Sequence, residues 1–424
     1  MKFNLKIFHW IVFLWLLLVV VRFELVANYY SLLLKYIGLL FSDFSSALSI
    51  LNFRLADAML SSVLLILSIT IILIFRKKLS FLQIKLNFSF AFLIVLGFIF
   101  IFAPIITNEN PEYSGKLSIT KLLPPFSTLK QIEVKSNRSL TNVERFLSES
   151  EKIIKPSFND KIIFADSIIQ SDKIAYYQKN ILYEVDKEKL VTVNGMVAIE
   201  EKYFLLGTDE FGRDLFARLI YGTRISISVG LGSVLLSFII GIILGFTAGY
   251  RGGFWDVFLN RFSEIFLAFP VIYLIVLILA LFGSSVFSVI IVLGISGWMS
   301  LFKIVKSEVL SIKQKDFFST AELIGLRKIN LLFKEIFPVL IVPVIVNLVF
   351  LFSNIILAEA ALSYLGLGTG DENPSWGAMI SSGQEYITKA WWLITFPGLG
   401  LILTLFSFNS SGRQLGKRLN PRMK

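Results

Sequence analysis

The sequence predicts an all-α polytopic membrane protein of about eight transmembrane helices, carrying a mixed α/β external insertion. Three observations predict it. Apolar runs of roughly 20 residues recur along the chain, the length that a hydrocarbon core of about 30 Å demands of a helix. Of 424 residues, 55% are hydrophobic and 17% charged, with a mean hydropathy of +0.74, which soluble domains rarely reach. Lys and Arg gather at the ends of the runs, the positive-inside pattern, and this accounts for most of the net charge of +11 without invoking nucleic acid.

The same totals exclude several chemistries. With no cysteine there is no disulfide scaffold and no thiolate metal site. The single histidine, His9, lies in the first apolar run, so neither a His-based metal site nor a catalytic triad can be assembled, and no catalytic residue is assigned.

Taken in order, a first span over about 8–28 follows Lys2 and Lys6, which put the N-terminus inside. No small-residue cleavage site follows it, so it reads as a span and not as a signal peptide. Arg22 and Glu24 sit near its far end, placed to snorkel or pair. A second span over about 58–75 ends at the inside anchor Arg76-Lys77-Lys78, and a third, about 88–106, leads outward past Pro104. From about Thr107 to Leu206 the chain turns polar, with no spanning run. Thr141-x-x-Glu144 forms a capping box opening a helix through about Lys155. ILYEV at 181–185 and KLVTVNGMVAI at 189–199 read as strands meeting around a turn.

The fourth span, about 225–249, carries Ser233, Ser237, Gly241, Gly245 and Gly249 at every fourth residue, a small-residue ladder that lets another helix approach closely. Spans over about 262–282, kinked at Pro270, and 286–302 form a hairpin around Gly283-Ser284-Ser285. A basic loop from Lys303 to Pro338 follows, with Phe317, Ala321 and Ile324 on one helical face, a break at Gly325, and Leu332, Phe333 and Ile336 beginning a second run. Such an amphipathic pair beside a membrane is either a docking knob for a soluble partner or a surface helix in the headgroup region. The seventh span, about 338–358, bears Asn347 and Asn354 on one face, suited to interhelical hydrogen bonding or to lining a translocation route. An outer loop, AEAALSYLGLGTGDENPSWGAMISSGQEYI, is apolar enough in its first half to re-enter the membrane. The last span, about 391–409, precedes Arg413, Lys417, Arg418, Arg422 and Lys424, which places both termini in the cytoplasm.

From about residue 88 onward the chain resembles an inner-membrane permease of bacterial ABC importers of the oligopeptide/dipeptide/nickel type. Four stretches carry the resemblance: LGTDEFGRDLFARLIYGTRISISVG at 206–230, the loop at 303–338, AEAALSYLGLG with PSWGAMI, and AWWLITFPGLG with the ending FNSSGRQLGKRLNPR. The resemblance implies a six-helix permease core over 81–106 and 206–424, with residues 1–80 as a two-span extension and 107–205 as an extracytoplasmic insertion outside that core. It implies that the 303–338 loop couples to an ATPase subunit through Ser319, Thr320, Ala321, Glu322, Gly325, Ile336 and Pro338. The family motif opens Glu-Ala-Ala, where this chain has Ser319-Thr320-Ala321 with Glu322 just after. The implied partners are a second, homologous permease, two ATP-binding-cassette ATPases, an extracytoplasmic solute-binding protein and membrane lipid.

The chain has no Gly-x-x-x-x-Gly-Lys-Ser/Thr loop to cradle phosphates, so it is expected to bind no cofactor, with ATP and Mg used by its partners. The leading expectation is import of peptides across the bacterial cytoplasmic membrane. Nickel or another solute is the alternative within the class, and an ion-coupled carrier or channel the alternative outside it. Glu24 and Glu264 near span ends argue against a proton relay, and the spans offer an intramembrane enzyme no paired carboxylates.

Overall fold

The computed structural model describes residues 6–75, 86–113, 117–135, 142–156, 162–170, 173–193, 196–268, 270–316, 318, 320, 336–370 and 373–419. They fall into two compact units, the first holding residues 1–86, 94–224 and 382–397 and the second 87–93, 225–381 and 398–424.

The first unit opens with helices α1 (Ile7–Val21), α2 (Phe23–Ser42), α3 (Phe44–Ile50) and α4 (Phe53–Phe75), followed by α5 (Phe88–Ile106). The apolar run expected as one span over 8–28 is thus broken at Arg22, and a further 20-residue helix follows it. By length and composition α2 could cross a bilayer. Its contacts argue for a different placement. Arg22, at its N-terminal end, donates to the Ile106 carbonyl, and Tyr29 donates to the Pro104 carbonyl, both at the end of α5 that enters the insertion. Lys35 pairs with Glu149 of the insertion at 2.6 Å, and Tyr36 packs on Phe146. Both the start of α2 and its Lys35–Tyr36 turn therefore lie against the insertion and the end of α5 that leads into it. The Trp15 indole of α1 donates to the Leu65 carbonyl midway along α4.

The insertion contains the short helix α6 (Leu117–Thr120), strand β1 (Ser127–Glu133), helix α7 (Asn142–Ile153) and strands β2 (Ile162–Ala165), β3 (Ser167–Gln170), β4 (Lys173–Gln178), β5 (Ile181–Asp186), β6 (Thr192–Val193), β7 (Met196–Val197) and β8 (Ile199–Phe204). The pairing differs from the expected one. ILYEV, as β5, pairs with β4, while 189–199 divides into the β6–β7 hairpin and the start of β8, which pairs with β1. Lys179 and Asn180, with φ of 47° and 67°, make the tight turn that sends the chain from β4 back along β5. Strand alternation in 181–199 is readable locally, but the partners of β5 and β8 lie upstream of the segment. Helix α7 forms where expected, while Thr141 of its capping box lies outside the described residues.

The second unit is helical. It contains most of α8 (Leu215–Arg251), then α9 (Gly253–Ala268), α10 (Val271–Phe282), α11 (Val286–Lys313), α12 (Phe337–Tyr364), α13 (Trp376–Gly383) and the greater part of α14 (Trp392–Leu419). Helices extend past the expected spans: α8 begins ten residues before 225, α11 runs to 313 and not 302, α12 to 364 and not 358, and α14 to 419. The expected fifth span begins earlier, at Gly253, and is broken at Pro270, which caps α10. Ser285 then caps α11 by accepting from the Ser288 amide at 3.1 Å. Among the described residues, α2, α4, α5, α8, α11, α12 and α14 are long and apolar enough to cross a membrane, with the bent α9–α10 pair as an eighth, while α1 is a shorter apolar helix of 15 residues.

Candidate functional site

The small-residue ladder of α8 lies against α11. The Ser233 hydroxyl donates to the Ile290 carbonyl at 3.1 Å and the Ser237 hydroxyl to the Gly294 carbonyl at 2.7 Å. A Cβ added at Gly241 would stand 2.9 Å from Leu301, at Gly245 2.8 Å from the Phe302 carbonyl oxygen, and at Gly249 2.9 Å from Val309. All five positions thus face one partner helix, at a distance only small side chains permit. On its other side α11 packs on α12, where Leu301, Val305, Val309 and Ile312 share a core with Phe318, Ile336, Leu340 and Val344.

That second core receives both described ends of the basic loop. Phe318 is 2% exposed and Ile336 is fully buried. Pro338 stands in the first turn of α12, where its missing amide proton leaves no helical bond unmade. Thr320 is exposed, its hydroxyl donating to the Asp316 carbonyl at 2.8 Å. Ser319, Ala321, Glu322 and Gly325 lie outside the described residues, as do Phe317 and Ile324. The loop is shorter than the sequence implies, because its first eleven residues, 303–313, continue α11. Lys306 pairs with Asp256 at 2.5 Å and Lys313 donates to the Tyr250 carbonyl at 3.0 Å, tying this end of α11 to the α8–α9 turn.

The two asparagines of α12 meet different surroundings. Asn347 exchanges hydrogen bonds with Ser300 of α11 at 3.2 and 3.3 Å, whereas Asn354 is exposed, with no partner among the described residues.

The structure adds a cluster that the sequence reading passed over. The segment AEAALSY, expected in an outer loop, is the end of α12, and it carries Glu359 fully buried. Its carboxylate accepts from Ser363 at 2.7 Å and from Ser226 of α8 at 3.3 Å, and makes no ion pair among the described residues. Ser226 in turn accepts from the Trp376 amide at 3.2 Å, and Ser375 bonds Ser363 at 3.2 Å while capping α13 through the Ala378 amide. Gly377 lies against Ala360, whose Cα would be 2.6 Å from an added Cβ, and Gly368 lies against Ser363. The two apolar motifs AEAALSYLGLG and PSWGAMI are therefore one folded seam, closed by hydroxyls around a single acid. An acid four residues before a serine, inside an unbroken apolar run, was the available signal.

In the first unit, the segment at 206–224 closes on Asp209, whose carboxylate accepts from the amides of Phe211 and Arg213 and from the Arg213 guanidinium. Asp214 caps α8 by accepting from the Phe216 amide at 2.8 Å. Arg224 makes a two-pronged pair with Asp57 of α4. A polar recess of about 380 Å³ at the base of the insertion is lined in part by Glu109, Lys155 and Lys202. Glu109 joins Lys155 at 2.7 Å and the buried Lys202 at 2.5 Å. Burial alone would raise the Glu109 carboxyl, but the two ammonium groups outweigh it and hold it below the usual carboxylate range. This triad reads as a strut, since its charges are spent on one another.

The sequence was compared with known proteins. A family model described as "Binding-protein-dependent transport system inner membrane component" matches residues 241–424. The di/tripeptide transport system permease protein DppC of Pseudomonas aeruginosa is 37% identical over 221 residues, covering 52% of this chain and 73% of that protein. The oligopeptide transport system permease protein OppC of Haemophilus influenzae is 39% identical over 222 residues, covering 52% and 71%. Among solved structures, an inward-facing form of the MetNI methionine ABC transporter aligns with 48% of this chain and 96% of its own, at 14% identity and a TM-score of 0.40.

Proposed function

This chain belongs to the family of inner-membrane components of binding-protein-dependent transport systems, and we propose that it is the permease subunit of an ATP-driven importer of peptides. Peptides are favoured as cargo because the relatives that match over more than two thirds of their length carry di/tripeptide or oligopeptide transport in their names. The chain works with a second permease of the same family, two ATP-binding subunits and an external solute-binding protein, and binds no nucleotide itself. Both termini are cytoplasmic, in keeping with the Lys and Arg residues beyond α14 and at the end of α11.

The observation that carries the mechanism is the burial of Phe318 and Ile336 in the α11–α12 core. A close-packed core does not yield gradually. A pull on the loop between them is therefore passed to both helices and, through the glycine ladder, to α8. Closure of the two ATP-binding subunits would pull that loop, an amphipathic element set in a partner's groove. The spans would then pass between outward-open and inward-open states. The loop residues Ser319, Thr320, Ala321, Glu322, Gly325, Ile336 and Pro338 make the contact or hold its ends. Asn354, exposed on α12, is the better placed of the two asparagines to line the route, since Asn347 is engaged with α11.

Co-purification with tagged candidate ATP-binding subunits, followed by uptake of labelled peptide into vesicles, tests the assignment. Uptake that persists without ATP sinks it. Gly325→Pro and Ala321→Asp are expected to separate ATP hydrolysis from uptake while leaving membrane insertion intact, and normal uptake by both would remove the loop from the mechanism.

A further inference from the structure

We propose that α2 and α3 form an in-plane anchor, with an apolar ridge of this N-terminal extension seated in the outer leaflet of the bilayer. The ridge consists of Leu34 and Phe41 of α2, Phe44 and Leu48 of α3, Leu51, and Phe53 at the start of α4. Their exposures are 70%, 89%, 63%, 51%, 43% and 82%. Phe44 and Leu48 of α3 and its C-cap residue Leu51 stand at i, i+4 and i+7 and share one face. Ala47 and Ile50 occupy a second face, buried in the core of the first unit, and Ser45 and Ser49 occupy a third, exposed and polar. A helix with an inner face packed on its own protein, an apolar face left open and a hydroxyl face beside it is divided as a protein–lipid–water boundary requires.

Lipid is the occupant because the ridge runs without a break into a surface that already meets lipid. Phe53 leads into the exposed apolar side of α4, with Leu60 at 58% and Ile66 at 52%. The charged groups of this stretch are engaged by other partners. Arg54 donates to the carbonyls of Lys155 and Glu109, Asp57 pairs with Arg224, and Lys35 pairs with Glu149. Asp43 accepts from Ser45 and Ser46 at the head of α3. Those engaged charges on the first turns of α4 mark the level at which the apolar run begins, and α3 precedes it by two residues. The ridge thus lies at the headgroup–acyl boundary, where phenylalanine and leucine are the expected side chains. This inference rests on the membrane reading of α4 but not on the cargo or on the ATP-binding partners.

The chain has no native cysteine, so single-cysteine spin labels report without background. Nitroxides at Phe44→Cys and Leu48→Cys, in the full chain assembled with its partners in phospholipid vesicles, are compared with labels at Ser49→Cys and Leu60→Cys. The readout is accessibility to oxygen against a water-soluble nickel chelate. The expected result is an oxygen-to-nickel ratio at residues 44 and 48 that matches residue 60, with residue 49 favouring nickel. Nickel-favoured labels at 44 and 48 would show a water-exposed ridge and overturn the anchor. Labels shielded from both reagents would show a protein partner on the ridge and overturn it equally. A nickel-favoured label at residue 60 would instead defeat the membrane reading of α4. Should Leu48→Cys not accumulate, Leu51→Cys reads the same face.

Discussion

Glu109 shows how much one side chain can hold when it collects charges from distant parts of the chain. It ties Lys155, at the end of the α7 segment, to Lys202 of β8, and its backbone carbonyl receives Arg54 of α4. Glu109→Gln leaves the buried Lys202 without its counter-ion and is expected to cost about 3 kcal/mol, the scale of breaking one half of a buried pair. Because the folded carboxyl lies below its ordinary value, its stabilisation is complete above about pH 4.3 and is lost as pH falls through the lower folded value. The gap in thermal midpoint between the parent and Glu109→Gln in detergent should be constant near neutrality and close in acid. A gap that widens in acid would refute the strut. Glu359 makes the opposite case, an acid held by hydroxyls alone. Glu359→Gln keeps an oxygen acceptor for Ser363 and should transport nearly as the parent does. Glu359→Ala strands buried hydroxyls at a cost of about 1–3 kcal/mol, and uptake should fall with the melting temperature. Neither acid stands out in the sequence as a site. Glu109 is one acid among many in a polar stretch, and Glu359 sits where an amphipathic loop and a helix end read alike.

At the scale of elements, the ladder on α8 was visible as a period of four, and its five positions meet α11 as small residues must. Gly245→Leu is expected to push α8 off the Phe302 carbonyl and Val305, lowering stability by about 1–3 kcal/mol, measured as a drop in thermal midpoint and in co-purifying partner. Gly398→Leu, on α14, meets open space and serves as the matched control. An equal loss in both would mean that side-chain bulk alone, and not the seam, is at fault. Helix ends were the least legible feature. The change from apolar to charged residues at Lys303 marks where a helix leaves the apolar layer, not where it stops, and α11 continues eleven residues beyond the expected span end. The strands of the insertion fail for a different reason. Alternation identifies a strand, but pairing is settled by partners up to about seventy residues away, such as β1 for β8.

For the whole molecule, the N-terminal segment and the polar insertion, both outside the stretch 241–424 that the family model matches, pack together. The N-terminal helices and the insertion share one core, in which Tyr29, Leu32 and Tyr36 of α2 bury alongside Phe146 of α7. Removal of residues 1–52 should therefore leave α7 without its cover, and limited proteolysis should cut within 142–156 faster than in the full chain. An unchanged cleavage pattern would show that the insertion stands by itself. What the sequence alone determined is the part governed by the solvent: the helices apolar and long enough to span, and the family, because bilayer thickness acts on each segment separately. Tertiary structure decided the rest. It packed α2 against the insertion despite an apolar composition suited to crossing, and it gathered Ser226, Glu359, Ser363 and Ser375 from three stretches of chain. Both outcomes turn on which side chains meet at short range, and no local pattern of apolar and polar residues encodes such a meeting.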